Sequence, residues 1–166
     1  MRNGYITLLT LIALCCASAA AVSAQTAYDN REALEGIKNA QVYFDVNLKD
    51  DDLLVLRMEL LDRTTRHLQE ADVDATVIIG FRGAASRFIT KDDHYVLDEQ
   101  VANKIKIQNW IKQFAKQGFR IEQCALAAEI LDIPPDDFLP EVSVVGNGYV
   151  SLIGYQAQGY AVVPMD

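Results

Sequence analysis

The sequence has little of what metal, disulfide or nucleotide chemistry is built from. It holds three cysteines and two histidines in 166 residues. His67 and His94 stand in no His-Glu-x-x-His pattern, and no Cys-x-x-Cys pair occurs, so no metal site is predicted. The first apolar strand-like run is not followed by a glycine-rich phosphate fingerprint, and no Gly-x-Ser-x-Gly elbow is present. Neither a nucleotide nor any other cofactor is therefore expected, and serine-hydrolase chemistry is disfavoured. Positive charge is also scarce: 15 Lys and Arg face 23 Asp and Glu, a net charge of −8. A nucleic-acid backbone or an anionic lipid surface needs clustered Lys and Arg, so both are excluded as expected partners. There is no internal repeat and no biased tract.

One long apolar run is present, from Tyr5 to Val22, behind Met1 and Arg2. Val22-Ser23-Ala24 puts small residues where a signal peptidase reads, so residues 1–24 read as a cleaved signal peptide, with an uncleaved anchor as the alternative. The protein is then expected to be periplasmic or secreted, with no stable membrane insertion after cleavage. Removal of Arg2, with no acidic residue lost, makes the mature charge −9. Cys15 and Cys16 leave as well, and Cys124 becomes the single thiol. An internal disulfide is then impossible, and that thiol is buried and inert, paired between chains, or reactive.

Residues 25–35 form a polar lead-in, and 36–166 one domain with 51% of the whole chain hydrophobic. Gln41–Val46 and Ala75–Phe81 are short, apolar and rich in β-branched or aromatic residues, as strands buried on both faces are. Phe119–Gln123, Val142–Val145 and Tyr160–Val163 are three further strands. Between them lie helical patterns: one opening at Asp50, Asp51 and Asp52 with Leu53, Leu56, Leu60 and Leu68 as its apolar face, and one carrying Ile107, Trp110, Ile111 and Phe114 and stopped by Gly118. Shorter helical pieces follow Arg82, Cys124 and Asn147. Strand alternating with helix predicts an α/β three-layer sandwich with a five-stranded, mainly parallel sheet, in a flavodoxin-like or related strand order that the sequence leaves open.

In such folds ligands sit beyond the carboxyl ends of the strands, where strand order reverses. The loops leaving those ends carry Asp45 and Asn47, then Arg82 and Gly83, then Cys124, then Asn147 and Gly148. Cys124 is the strong nucleophile of the set. It precedes a helical piece whose N–H groups favour a thiolate, and Arg82 is expected to add positive charge beside it. Cysteine is also among the most buried residue types, so simple packing is the competing explanation. Asn147-Gly148 reads equally as a turn, with Gly supplying φ > 0 and Asn a helix cap. Tyr149, Leu152, Ile153, Tyr155 and Tyr160 leave apolar surface in excess of one domain's needs, a candidate subunit interface.

Phe81-Arg82-Gly83-Ala84-Ala85, Glu122-Gln123-Cys124-Ala125, and the ending Val144-Val145-Gly146-Asn147-Gly148 through Leu152-Ile153-Gly154-Tyr155-Gln156-Ala157-Gln158-Gly159-Tyr160-Ala161 resemble the DsrE/DsrF-like family over about residues 36–166. The ending resembles that of its exported members. The resemblance implies the parallel α/β fold and assembly into trimers or hexamers. It also implies a sulfur-relay role in which Cys124 accepts sulfane sulfur from a donor protein or passes it to an acceptor. Arg82 stands where that turn commonly has His, and the relay members are cytoplasmic. The leading expectation is a periplasmic sulfur-carrier or thiol-exchange protein, with Cys124 as acceptor and Arg82, Gly83, Asn147, Gly148 and Asn47 around it. The alternatives are a non-enzymatic oligomeric binding domain with a buried structural cysteine, and a small-ligand receptor using the Arg82 and Asn147 rim.

Overall fold

Apolar runs with β-branched residues pair side by side because a strand buried on both faces can satisfy its backbone only through its neighbours. The computed structural model describes residues 29–166, of which 31–166 form one unit. The expected signal peptide and the start of the lead-in lie outside the described residues. In chain order the elements are β1 (Asn39–Val46), α1 (Asp51–Glu70), β2 (Asp74–Phe81), α2 (Val101–Lys116), β3 (Arg120–Cys124), α3 (Ala125–Ile130), β4 (Val142–Val145), α4 (Gly148–Ala157) and β5 (Ala161–Met165). A 3-10 stretch, Gly83–Ile89, follows β2.

All four strand pairings are parallel, in the order β4-β3-β2-β1-β5. The expected five-stranded parallel α/β sheet is what forms, and its order is not the 2-1-3-4-5 of flavodoxin. From β1 to β4 each crossover steps the same way, and the step to β5 reverses. Right-handed crossovers therefore put α1 and α2 on one face and α4 on the other; α4 packs across β1, β2, β3 and β5.

The two faces have different chemistry, set by strand alternation. In register, Phe44, Ile79 and Ile121 occupy one rung. They face α1 and α2 and belong to the main core with Leu54, Met58, Leu61, Ile107, Ile111 and Phe114, all essentially inaccessible. The next rung, Asp45, Gly80 and Glu122, points to the α4 side. The α1 stripe differs from expectation: Leu54, Met58, Leu61 and Thr65 are buried, whereas Leu56 is 46% exposed. Positions 54, 58, 61 and 65 keep to one face at 3.6 residues per turn, while Leu56 lies more than half a turn away from Leu54.

The start of α1 is tied to α2. The Asp50 side chain accepts from Leu53 N–H at 2.8 Å, and Asp51 accepts from Gln100 and Asn103 side-chain amides at 2.8 and 2.7 Å. Burial works to raise the Asp51 pKa, but the Asn103 and Gln100 hydrogen bonds outweigh it and hold the carboxyl below its ordinary range. A folded pKa lower than the unfolded one gives stability that is present above about pH 4 and is lost as pH falls through the folded value. Asn103→Ala is accordingly expected to cost about 1 kcal/mol at neutral pH. It should cost less in acid, as read from urea titrations at both pH values; an equal cost at both would contradict the linkage.

Candidate functional site

Parallel strands all end on the same rim, so residues distant in sequence meet there. The ends of β1, β2 and β3 and the loop after β4 bring Asn47, Arg82, Gly83, Cys124 and Asn147 around a single cavity of about 290 Å³. Its apolar wall comes from Ala84, from Leu126, Ala127 and Ile130 of α3, and from Leu131, which caps that helix. Tyr149 closes one side. The cavity lies over β1 to β4, away from the β1/β5 reversal where the general rule for open sheets placed it, and no β5 residue lines it.

Arg82 is not the free positive charge expected from the sequence. Its Nε and Nη2 donate to the two oxygens of Asp45, both at 2.8 Å, a bidentate pair across neighbouring strands. Nη1 donates to the Tyr149 hydroxyl at 3.1 Å, and the guanidinium carbon lies 4.8 Å from the centre of that ring. The Asn47 amide, oriented to satisfy both groups, accepts from Nη1 at 3.0 Å and donates to the Arg82 carbonyl at 3.2 Å. Hydrogen bonding to Asp45 is the main cause that raises the Arg82 pKa. Gly83 has φ +58°, and a Cβ there would fall 1.9 Å from the Asn47 amide, so both backbone conformation and space require glycine.

Cys124 ends β3 and stands at the N-cap of the six-residue α3, where its side chain makes no capping hydrogen bond. It is 4% exposed and unbridged. What covers it is the first turn of α4. Asn147 caps that helix, accepting from Tyr149 N–H at 2.9 Å, so the expected capping role is real. The expected role of Gly148 is corrected: its φ is not positive. Glycine lets the helix approach closely: a Cβ would lie 3.0 Å from Cys124 Cβ and 3.5 Å from its sulfur, a tight fit. Gly148→Val is expected to overpack this contact at about 1–3 kcal/mol. The measurement is a lowered thermal midpoint together with slower alkylation of the native thiol.

Behind the rim, on the same sheet face, lies a polar group that the sequence did not reveal. Glu122, 2% exposed, accepts from Tyr155 hydroxyl at 2.8 Å and from Arg120 Nε at 2.6 Å through one oxygen, and its other oxygen has no partner among the described residues. Tyr43, also buried, lies beside Tyr155 with ring centres 5.6 Å apart. Burial first, then Glu122 and Asp45, push the Tyr43 phenol far above its ordinary pKa. The signal available in the sequence was a carboxylate at the middle of a strand; its hydrogen-bonded tyrosine comes from 33 residues away. Tyr149 was read only as interface, yet it contacts Arg82. Among the described residues no group of three His, Cys, Asp or Glu side chains is placed to hold a metal ion, and no helix is long and apolar enough to cross a membrane.

Comparisons with known proteins agree with this architecture. No curated protein matches the chain. A solved structure of a protein of unknown function, MTH1491 from Methanobacterium thermoautotrophicum, superposes with a TM-score of 0.61 at 17% identity. It covers 75% of this chain and 98% of its own, a likeness that shows the fold. The model of the DsrE/DsrF-like family matches residues 18–165, which take in every strand, the rim and Cys124, and the chain belongs to that family.

Proposed function

We propose that this protein carries sulfane sulfur on Cys124 and passes it on by thiol exchange. The observation that carries the reading is a sole described cysteine, at a strand end, lining a cavity open to small molecules. Membership of the DsrE/DsrF-like family supports a sulfur-relay type of role. The step is balanced without an added oxidant. The Cys124 thiolate attacks the outer sulfur of a persulfide R–S–SH, a new S–S bond forms, and the old one breaks. The departing R–S⁻ takes the electron pair and a proton, leaving Cys124–S–SH and R–SH. N–H groups in the first turn of the ten-residue α4, beside Cys124, stabilise negative charge on the outer sulfur. On this reading the protein acts in the periplasm or outside the cell, in line with its signal-like leader. It works as a homo-oligomer through exposed Tyr149, Val150 and Ile153, which are 57–64% accessible. The test is intact mass of the exported chain after treatment with a small alkyl hydropersulfide: Cys124 should gain steps of about 32 Da, one sulfur each. No gain while a control peptide thiol is loaded rejects the carrier.

The burial of Cys124 favours a second reading, a non-enzymatic oligomeric binding domain with a structural cysteine. In that case iodoacetamide labels the thiol only after denaturant is added.

A further inference from the structure

The sulfur-carrier reading leaves the donor's chemistry open, and the walls of the cavity narrow it. Among the described residues Arg82 is the only charged side chain lining the cavity. A guanidinium has five N–H donors. Two go to Asp45, one to Tyr149 and one to Asn47, so a single donor remains. The Arg82 and Asp45 side chains are 20% and 12% exposed, so each charge is balanced mainly by the other and little by water. Ala84, Leu126, Ala127, Ile130 and Leu131 make one wall apolar, and the other polar side chains of the lining, Asn47, Asn147 and Tyr149, carry no charge. The volume stands at the small end of ligand pockets, which run roughly 300–1,000 Å³. Cys124 is nearly inaccessible to bulk water and its sulfur has no hydrogen-bond partner among the described residues. A dianion such as thiosulfate would have to give up its hydration beside a guanidinium whose charge Asp45 already balances, which is unfavourable.

Resting on the carrier reading, we infer that Asp45 sets the substrate class of this site. By cancelling the charge of Arg82 it selects small, uncharged, apolar sulfane-sulfur compounds, such as alkyl hydropersulfides in their protonated form, over anionic ones. Asp45 acts through Arg82 and is a specificity-determining residue rather than a catalytic one.

Charge selectivity is measured with a pair of thiosulfonate reagents that share one reactive sulfur. One carries a neutral ethyl group and the other an ethyl group ending in sulfonate. Rates of Cys124 modification are normalised to those of an unstructured cysteine peptide. The parent chain should react with the neutral reagent at least about tenfold faster, relative to the peptide, than with the anionic one. In Asp45→Asn the freed guanidinium should raise the anionic-to-neutral ratio about tenfold. In Arg82→Gln the uncompensated Asp45 should lower it further, which gives an independent reading should Asp45→Asn fold poorly. A mere packing role for Asp45 would change both rates together and leave the ratio still. A parent ratio near that of the peptide, or an unchanged ratio in both variants, overturns the inference while the carrier reading stands. Failure of both reagents to modify native Cys124 overturns the carrier reading itself, and this inference with it.

Discussion

A small alkyl hydropersulfide is expected to leave the mass of the Cys124→Ser chain unchanged, while the parent chain gains sulfur. The loss should be complete rather than partial, because the reaction needs a sulfur nucleophile. A serine hydroxyl does not ionise near neutral pH and forms no persulfide, and Cys15 and Cys16 precede the expected cleavage point at Gln25. Serine is close to cysteine in size, so the cover provided by Gly148 is not disturbed. What changes in the fold is one hydroxyl in a site that is 4% exposed. That costs about 1–2 kcal/mol if the hydroxyl finds no partner, too little to unfold an ordinary domain. A melting curve run on the same sample therefore separates lost chemistry from lost structure. Sulfur retained by a folded Cys124→Ser chain would place the carrier elsewhere and sink the proposal.

The rim was legible in the sequence because parallel α/β geometry delivers every strand end to one side. Asn47, Arg82, Cys124 and Asn147 had only to follow recognisable strands to be brought together. What the residues do to one another was not legible, because it depends on which strands are neighbours. Arg82 meets Asp45, 37 residues earlier, only because β2 lies beside β1. With another order the same arginine could have faced Cys124 with its charge uncancelled. The same ignorance hid the reason for Gly148: a turn and a close helix approach look alike in sequence, and only the position of α4 over Cys124 decides between them. The α1 stripe failed for a different reason. Leucines occur on several sides of that helix, so periodicity alone did not choose the buried one.

Strand order also explains why the second sheet face is the polar one. A single reversal leaves only α4 there, a ten-residue helix set over five strands. Side chains pointing to that face include Asp45 and Glu122 under the helix and Gln41, Arg120 and Ser143 beyond its cover. Tyrosines fasten the helix at both ends, Tyr149 to Arg82 and Tyr155 to Glu122. Cys124 lies under the first of these attachments, so anything that lifts α4 bears on the thiol.

Gly80→Ala is expected to lift it, at a marked loss of stability. Gly80 faces α4 between Asp45 and Glu122, and the space that its Cβ would take is filled by Tyr43. The hydroxyl oxygen would be 1.8 Å and the ring Cζ 2.4 Å from the new atom. Tyr43 leans there from the neighbouring strand, one of the diagonal contacts that long side chains make across a sheet. Its ring is 2% exposed and rests on Tyr155, so it can retreat only by pushing α4 outward. Overpacking of this kind costs about 1–3 kcal/mol, and more when the obstructing ring is itself confined. The gain of roughly 0.5–1 kcal/mol from replacing a flexible glycine does not offset it. The expected result is a thermal midpoint lower by about 5–10 °C, together with faster iodoacetamide labelling of Cys124 in the native state. Adding Tyr43→Leu should restore much of the midpoint by emptying the contested space. A Gly80→Ala chain with both its melting and its labelling unchanged would show that Tyr43 does not hold α4 in place over the cysteine.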